Sequence, residues 1–288
     1  MLRKKLNLSY LVLLFFLTII CLSMLYPFVN LFFISISGIS DVMASWGLML
    51  YPKSINTFAY RYLFQYPYLA VSYRNTVFIT VAGTLLALLM STLGAFVLAR
   101  RDLPGRTLIT TFVIITMFIS GGLIPTYLNM RSLKLLNTLW VLILPAMVST
   151  WNMLLLRNFI MAIPMELTEA SRIDGCGELR LLVQIIVPLS LPILATLALF
   201  YGVSRWNEYS NVIVYNTRPA LQTVQVIIRR MYQSSAEAAV RAEELANQLP
   251  MEIIRAATVI FTTLPILCVY PFLQKYFAQG IMVGSLKG

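Results

Sequence analysis

Charge is absent from six long intervals of this 288-residue chain, and that absence constrains the fold more than any other feature. The intervals are residues 6–40, 75–99, 107–130, 135–156, 181–204 and 256–274, each at least 19 residues without Asp, Glu, Lys or Arg. A helix of about 20 apolar residues crosses the hydrocarbon core of a bilayer, and within that core every backbone polar group must be satisfied inside the protein. No other charge-free interval approaches this length. An all-α membrane protein with six transmembrane helices follows, with both termini on one side. Composition agrees, since charged residues are 11% and hydrophobic ones 59% of the chain, far from a soluble globular domain.

The first interval follows Arg3, Lys4 and Lys5, as a secretory leader would. Its apolar run, residues 8–33, exceeds the about 7–15 residues of a leader's core, so it is read as a retained helix. Positive charge leaves orientation open: termini inside puts eleven Lys and Arg on each side. The tight clusters at residues 3–5 and at Arg100, Arg101 and Arg106 favour cytoplasmic N and C termini. The net charge of +11 fits topology and attraction to anionic membrane lipid; no nucleic-acid partner is implied.

Along the chain, residues 35–73 form an external segment rich in aromatics and prolines, with Trp46, Tyr51, Tyr60 and Tyr62 as an interfacial belt. Gly83 and Gly94 in the second span permit close helix approach. Gly121, Gly122 and Pro125 interrupt the third, and non-ideal backbone at membrane depth is tolerated where it is covered or lines a cavity. These glycines are therefore candidates for a translocation path, as are Trp206, Asn207 and Tyr209 at the mouth of the fifth span. Arg205, Arg218, Arg229 and Arg230 are external cations that would suit an acidic solute. Residues 210–250 read as a long polar external segment in which 234–248 is a soluble helix by propensity.

Much chemistry is excluded. There is no histidine, so a Ser-His-Asp triad, a Cys-His pair and the usual zinc sites are ruled out. Cys21, Cys176 and Cys268 imply no disulfide framework. None of the eleven acids lies in a charge-free interval, which argues against a proton- or ion-coupled carrier built on intramembrane carboxylates. No G-x-x-x-x-G-K-[ST] phosphate loop occurs. The chain is thus no enzyme and binds no metal or cofactor; transport driven by a separate energy-supplying subunit remains.

Residues 164–188, PMELTEASRIDGCGELRLLVQIIVP, hold four of the eleven acids between two apolar intervals. Pro164 can open a helix, the acids fall in its first turns, and Asp174-Gly175 marks a turn. A second helix from Glu178 is expected to end at Pro188. The helix–Gly–helix pattern reads as a docking element.

This loop resembles the EAA loop of binding-protein-dependent ABC importers, whose pattern is E-A-A, three residues, G, nine residues, I-x-L-P. Glu169, Ala170 and Ser171 stand for EAA, Gly175 for the glycine, and Ile185 and Pro188 for the end. Ser171 and Val187 are small departures. SGGLIPTYL, RNFIMAIPMEL, RWNEY and the terminal GIMVGSLKG extend the resemblance over residues 73–288, toward permeases for complex oligosaccharides such as lipoprotein-, alginate- and pectin-fragment systems. The resemblance implies a type I importer permease fold, with residues 1–72 an N-terminal span and external segment, 73–277 the transmembrane core, and 278–288 a cytoplasmic tail. It also implies a second related permease, two cytoplasmic ATPase subunits carrying ATP and Mg, and an extracytoplasmic solute-binding protein, all at the cytoplasmic membrane of a bacterium. Glu169, Ala170, Ser171, Asp174, Gly175, Ile185 and Pro188 would form the ATPase-coupling loop, with Glu169 and Arg172 placed to pair with each other or with the ATPase. Gly284, Lys287 and Gly288 of the tail would add an ATPase contact. The expected function is to form, with the second permease, the path for an oligosaccharide, which an acidic one would suit. A passive channel or secondary carrier for a small polar solute, or an importer permease for a non-sugar solute, is the alternative.

Overall fold

The structure, a computed structural model, describes residues 8–45, 48–241 and 251–285. Trp46, residues 242–248 of the expected soluble helix, Lys287 and Gly288 lie outside the described residues. The helices run, in order, α1 (Leu8–Ser35), α2 (Ile39–Ala44), α3 (Phe58–Gln65), α4 (Leu69–Ala99), α5 (Arg106–Ile115), α6 (Leu123–Ser132) and α7 (Thr150–Met161). Then come α8 (Met165–Ile173), α9 (Glu178–Leu181), a π-helical turn Leu182–Ile186, α10 (Val187–Leu189), α11 (Leu191–Trp206), α12 (Ser210–Tyr215), α13 (Val224–Arg241) and α14 (Met251–Ser285). Among the described residues the β-structure is one isolated bridge, Ser37 with Ile55.

The chain divides into two compact units, one of residues 1–69 and 228–265, the other of residues 70–227 and 266–288. In the first, α1 has 28 residues, about 42 Å of rise, and its apolar side chains are exposed along its length, as a lipid-facing helix requires. The external segment folds back on the end of α1. Asn30 Oδ1 accepts the Met49 amide at 2.7 Å, and Ser35 Oγ bonds the Tyr60 hydroxyl at 2.9 Å. On α3, Ala59 and Leu63 are buried, and Phe58, Tyr62 and Tyr66 form a ladder of rings with centroids 6.3 and 6.5 Å apart.

The second unit has two cores. Ala87, Ala95 and Leu98 of α4 pack with Met153, Leu156 and Ile160 of α7 and with Leu197 and Tyr201 of α11. A methyl group at Gly94 would stand 2.5 Å from Met153 Sδ, so the bare glycine sets how closely α7 approaches. In the other core Ile79, Met130, Val141 and Ile143 meet Val212, Tyr215 and Val226. The start of the 210–250 segment is therefore packed rather than a polar external excursion. Asn75 Nδ2 donates to the Ala220 and Gln222 carbonyls, and the Val224 amide donates to Thr76 Oγ1 at 2.9 Å.

Of the six apolar intervals, three hold continuous helices long and apolar enough to cross a membrane: Ser9–Ser35, Leu69–Ala99 and Glu252–Val269. The other three are interrupted. Interval 107–130 breaks over residues 116–122, and Pro125 lies in the first turn of α6, where its missing N–H is no loss. Interval 135–156 holds a single 3-10 turn, Trp140–Leu142, and then irregular backbone up to Ser149, which caps α7 by accepting from the Asn152 amide. Interval 181–204 bends by 82° between Glu178–Leu189 and Leu191–Trp206. Pro188 does not end the helix begun at Glu178, as expected; it lies inside it. The π-helical turn just before it accommodates a residue that cannot donate to the carbonyl four positions back. The direction changes at Ser190, between Pro188 and Pro192.

The break at 143–149 is repaired from α11. Arg205 is 4% exposed, and its guanidinium donates to the carbonyls of Leu142, Ile143 and Ala146. One turn earlier, the Tyr201 hydroxyl bonds Ser91 Oγ at 2.7 Å and accepts the Ser149 amide at 3.1 Å. Gly83 makes room for the arginine: a Cβ there would lie 3.3 Å from its Nε. Arg205 is therefore not an external cation open to an acidic solute. Replacing it by Met strands three carbonyls, each costing about 1–3 kcal/mol when buried unpaired. The thermal midpoint of Arg205→Met in detergent is expected to fall by several degrees, with Arg205→Lys recovering part of the loss, since one ammonium cannot reproduce the fork. An unchanged midpoint in Arg205→Met would contradict this role.

Candidate functional site

Helix α8 follows Pro164, which stands at its N-cap with extended backbone (ψ 133°). Glu166 lies in its first turn and Arg172 in its last, the signs that the helix dipole favours at each end. The helix is closed by a complete Schellman motif: the Gly175 amide donates to the Arg172 carbonyl at 3.0 Å, and the Cys176 amide to the Ser171 carbonyl at 2.9 Å. This closure requires left-handed backbone at residue 175, where φ is +75°, and glycine adopts it without strain. Gly177 then caps α9.

Ser171, standing where the family pattern has alanine, is buried and donates to the Thr168 carbonyl at 2.8 Å. That local bond lets a hydroxyl occupy a small-residue position. Ile185 packs against the α4–α7–α11 core beside buried Ile186. Glu169, Ala170, Asp174, Gly175 and Pro188 are exposed. So are several large apolar side chains of the loop, Ile173 at 87% and Leu179 at 75%.

Arg172 does not pair with Glu169, which makes no ion pair among the described residues. Its Nη2 lies 3.2 Å from Glu178 Oε1, and Arg100 Nη1 lies 3.2 Å from the same oxygen. Arg100 also holds Asp102 at 2.8 Å. The carboxylate of Glu178 thus ties the 164–188 loop to the turn after α4. Arg100 pulls the Asp102 carboxyl down to about 2. A carboxylate depressed in the folded state contributes above its ordinary value and loses that contribution only as pH falls toward about 2, so the Arg100–Asp102 pair does not change across the physiological range. Arg157 Nε, on α7, donates to the Leu98 carbonyl at 3.1 Å, a cation closing the last turn of α4. Behind the loop lies a cavity of about 200 Å³, lined by Phe96, Arg100, Ile160, Thr168, Glu178 and Leu181 among others.

The residues marked for a path fall in different settings. Gly121 and Gly122 lie exposed in the break between α5 and α6. Trp206 is buried and meets Tyr73 edge-on at 5.6 Å, Asn207 is exposed, and Tyr209 is half-buried against the second core. Gly284 lies in the last turns of α14. No group of three or more His, Cys, Asp or Glu that could hold a metal occurs among the described residues. The network of Arg100, Arg172 and Glu178 was not visible in the sequence; an acid six residues after an arginine across a glycine is its only local signal.

An apolar all-helical chain with an exposed helix–glycine–helix loop between spans defines a class, and comparison with known proteins gives its family. Residues 83–283 match the family model described as binding-protein-dependent transport system inner membrane component; the chain belongs to that family. It is 38% identical over 275 residues, 95% of this chain and 96% of that one, to the polygalacturonan/rhamnogalacturonan transport system permease protein YtcP of Bacillus subtilis (strain 168). It is 40% identical over 247 residues to protein LplC of the same organism, covering 85% of this chain and 84% of that one. Its fold, the type I importer permease fold, matches a chain in the crystal structure of a bacterial ABC transporter involved in the import of the acidic polysaccharide alginate. There the TM-score is 0.84 at 30% identity, covering 96% of this chain and 99% of that one.

Gly175→Ala is expected to destabilise the α8 closure by about 1 kcal/mol through backbone strain alone, since nothing lies within 4 Å of a Cβ there. Gly175→Asn should cost less. Faster hydrogen exchange at the Gly175 and Cys176 amides reads the effect; equal exchange in Gly175→Ala and the parent would refute it.

Proposed function

We propose that this chain is the permease subunit of an ATP-driven importer that carries an oligosaccharide of the polygalacturonan kind across the cytoplasmic membrane of a bacterium. It forms the path with a second related permease, receives solute from an extracytoplasmic binding protein, and is driven by two cytoplasmic ATPases that carry the ATP and Mg. The core is residues 73–277, with 1–72 an added span and external segment. The loop at residues 164–188 docks on an ATPase, so the loop and both termini are cytoplasmic. The solute class is supported by full-length similarity to the polygalacturonan/rhamnogalacturonan permease.

The observation that carries the coupling reading is the exposed tip of the loop. Ile173 and Leu179 stand in water on an element otherwise rich in charge, and an exposed apolar patch rimmed by polar groups is the usual mark of a protein interface. Glu169, Asp174 and Arg180 surround them as the polar rim. The tail with Gly284, Lys287 and Gly288 supplies a second ATPase contact, and Gly121, Gly122, Asn207 and Tyr209 belong to the path.

Glu169→Lys and Gly175→Trp are expected to abolish uptake of labelled oligogalacturonide and the solute-stimulated ATPase rate, with the complex still assembled in the membrane. Gly175→Trp adds to the backbone strain of Gly175→Ala a bulk that meets nothing in this chain, so a loss beyond that of Gly175→Ala reads the partner surface. Normal uptake in both variants would sink the coupling reading, and normal uptake of a neutral oligosaccharide with none of the acidic one would sink the solute class.

A further inference from the structure

Two stretches of irregular backbone lie within the apolar intervals; the first is satisfied in part from α11, with the Pro145, Met147 and Val148 carbonyls left over among the described residues, and the carbonyls of the second not at all. In residues 142–149 the Leu142, Ile143 and Ala146 carbonyls are taken up by Arg205 and the Ser149 amide by Tyr201. In residues 116–121, six consecutive carbonyls accept no hydrogen bond from any described residue, and the amides of Ser120 and Gly121 donate none. The stretch is exposed from Thr116 to Gly122.

Depth makes this costly in lipid. Helix α5 leaves the charged turn at Arg106 and runs for ten residues, about 15 Å of rise, or half of a hydrocarbon core about 30 Å thick. An unpaired peptide group exposed to hydrocarbon costs several kcal/mol, so such backbone occurs where protein or water covers it. A partner helix is a poor cover, because its own amides are spent on its own carbonyls. What the stretch needs is many donors in no fixed register, and the hydroxyls of water and of a sugar chain are such donors.

We propose that residues 116–121 line the solute path as a lane of backbone carbonyls that accept hydrogen bonds from sugar hydroxyls, which rests on the importer reading above. Two neighbouring features extend it. Thr116 Oγ1 lies 3.2 Å from Thr150 Oγ1, which sets the start of α7 beside the break. Trp151, next to Thr150, is 63% exposed and offers a ring face for a sugar. The lane reads hydroxyls and not carboxylates: interval 107–130 holds no cation, and Arg205 is already engaged. Gly122 starts α6 with φ +80°, the conformation that lets the chain leave the lane and resume a helix.

The test is thiol accessibility in membrane vesicles holding the whole transporter, in a background with Cys21, Cys176 and Cys268 replaced by serine. Ser120→Cys is nearly isosteric and Ile119→Cys is a second site; Gly122 is avoided because of its φ. A membrane-impermeant methanethiosulfonate reacts with the thiolate, whose formation is suppressed in hydrocarbon, so modification at 119 and 120 should exceed that at Leu14→Cys on α1 by about tenfold or more. Oligogalacturonide with binding protein and ATP should slow it. Modification as slow as at Leu14→Cys would overturn the lane, as would fast modification that solute leaves unchanged. Labelling is read without uptake, so fast labelling of Ile119→Cys and Ser120→Cys in a transporter whose parent takes up no oligosaccharide would instead fail the importer reading.

Discussion

A peptide group inside a bilayer has no water to turn to, and this chain breaks its helices three times within apolar intervals. Each break is a demand for hydrogen-bond partners, and the answers organise the second unit. At 142–149 the answer is Arg205, a charge at home in the membrane because the carbonyls it serves would otherwise be stranded. Its position depends on Gly83, and Tyr201 one turn away completes the hold on Ser149. At 188–192 two prolines remove donors, and the helix responds with a π-helical turn and then an 82° bend. At 116–121 the described residues supply no partner, and on the proposal above the demand passes to what fills the path.

The same unit mounts the loop at residues 164–188. Helix α8 is closed by the Gly175 turn and tied to the turn after α4 through Glu178, and the limb that follows it is anchored by Leu181, Leu182 and Ile186 in the core. Half-exposed ion pairs of this kind contribute little stability each, about 0–1 kcal/mol. The limb Glu178–Leu189 leads from the loop to the bend at the foot of α11, the helix that carries Tyr201 and Arg205. On the proposed coupling, a displacement of the loop would reach a span through this helical limb rather than through an irregular linker.

What the sequence made legible was local. Pro164, the acids of the first turn and Asp174-Gly175 each state their structural role within a few residues, and the structure has the helix, the turn and the start of the second helix where they place them, though that helix runs through Pro188 instead of ending there. Membrane character was equally plain, because charge-free length is a property of the chain alone. The interruptions were harder. Hydropathy counts charges and not backbone continuity, so 107–130 looks like one span until Gly121 and Gly122 are seen to break it. Partners distant in sequence were hidden altogether. Arg172 chooses Glu178 over Glu169 because the left-handed residue between them turns the chain back. Arg205 meets carbonyls some 60 positions away, and nothing local separates it from an interfacial anchor.

The central claim is that the loop at residues 164–188 is where an ATPase drives this permease. A photoreactive benzoylphenylalanine at Ile173, in the transporter assembled in native membranes, tests it most directly. Illumination is expected to join this chain to an ATPase subunit, in a yield that changes when ATP hydrolysis is trapped. Capture of the solute-binding protein, or of lipid with no ATPase, would contradict the account, since the loop would then lie outside the cell or on the bilayer.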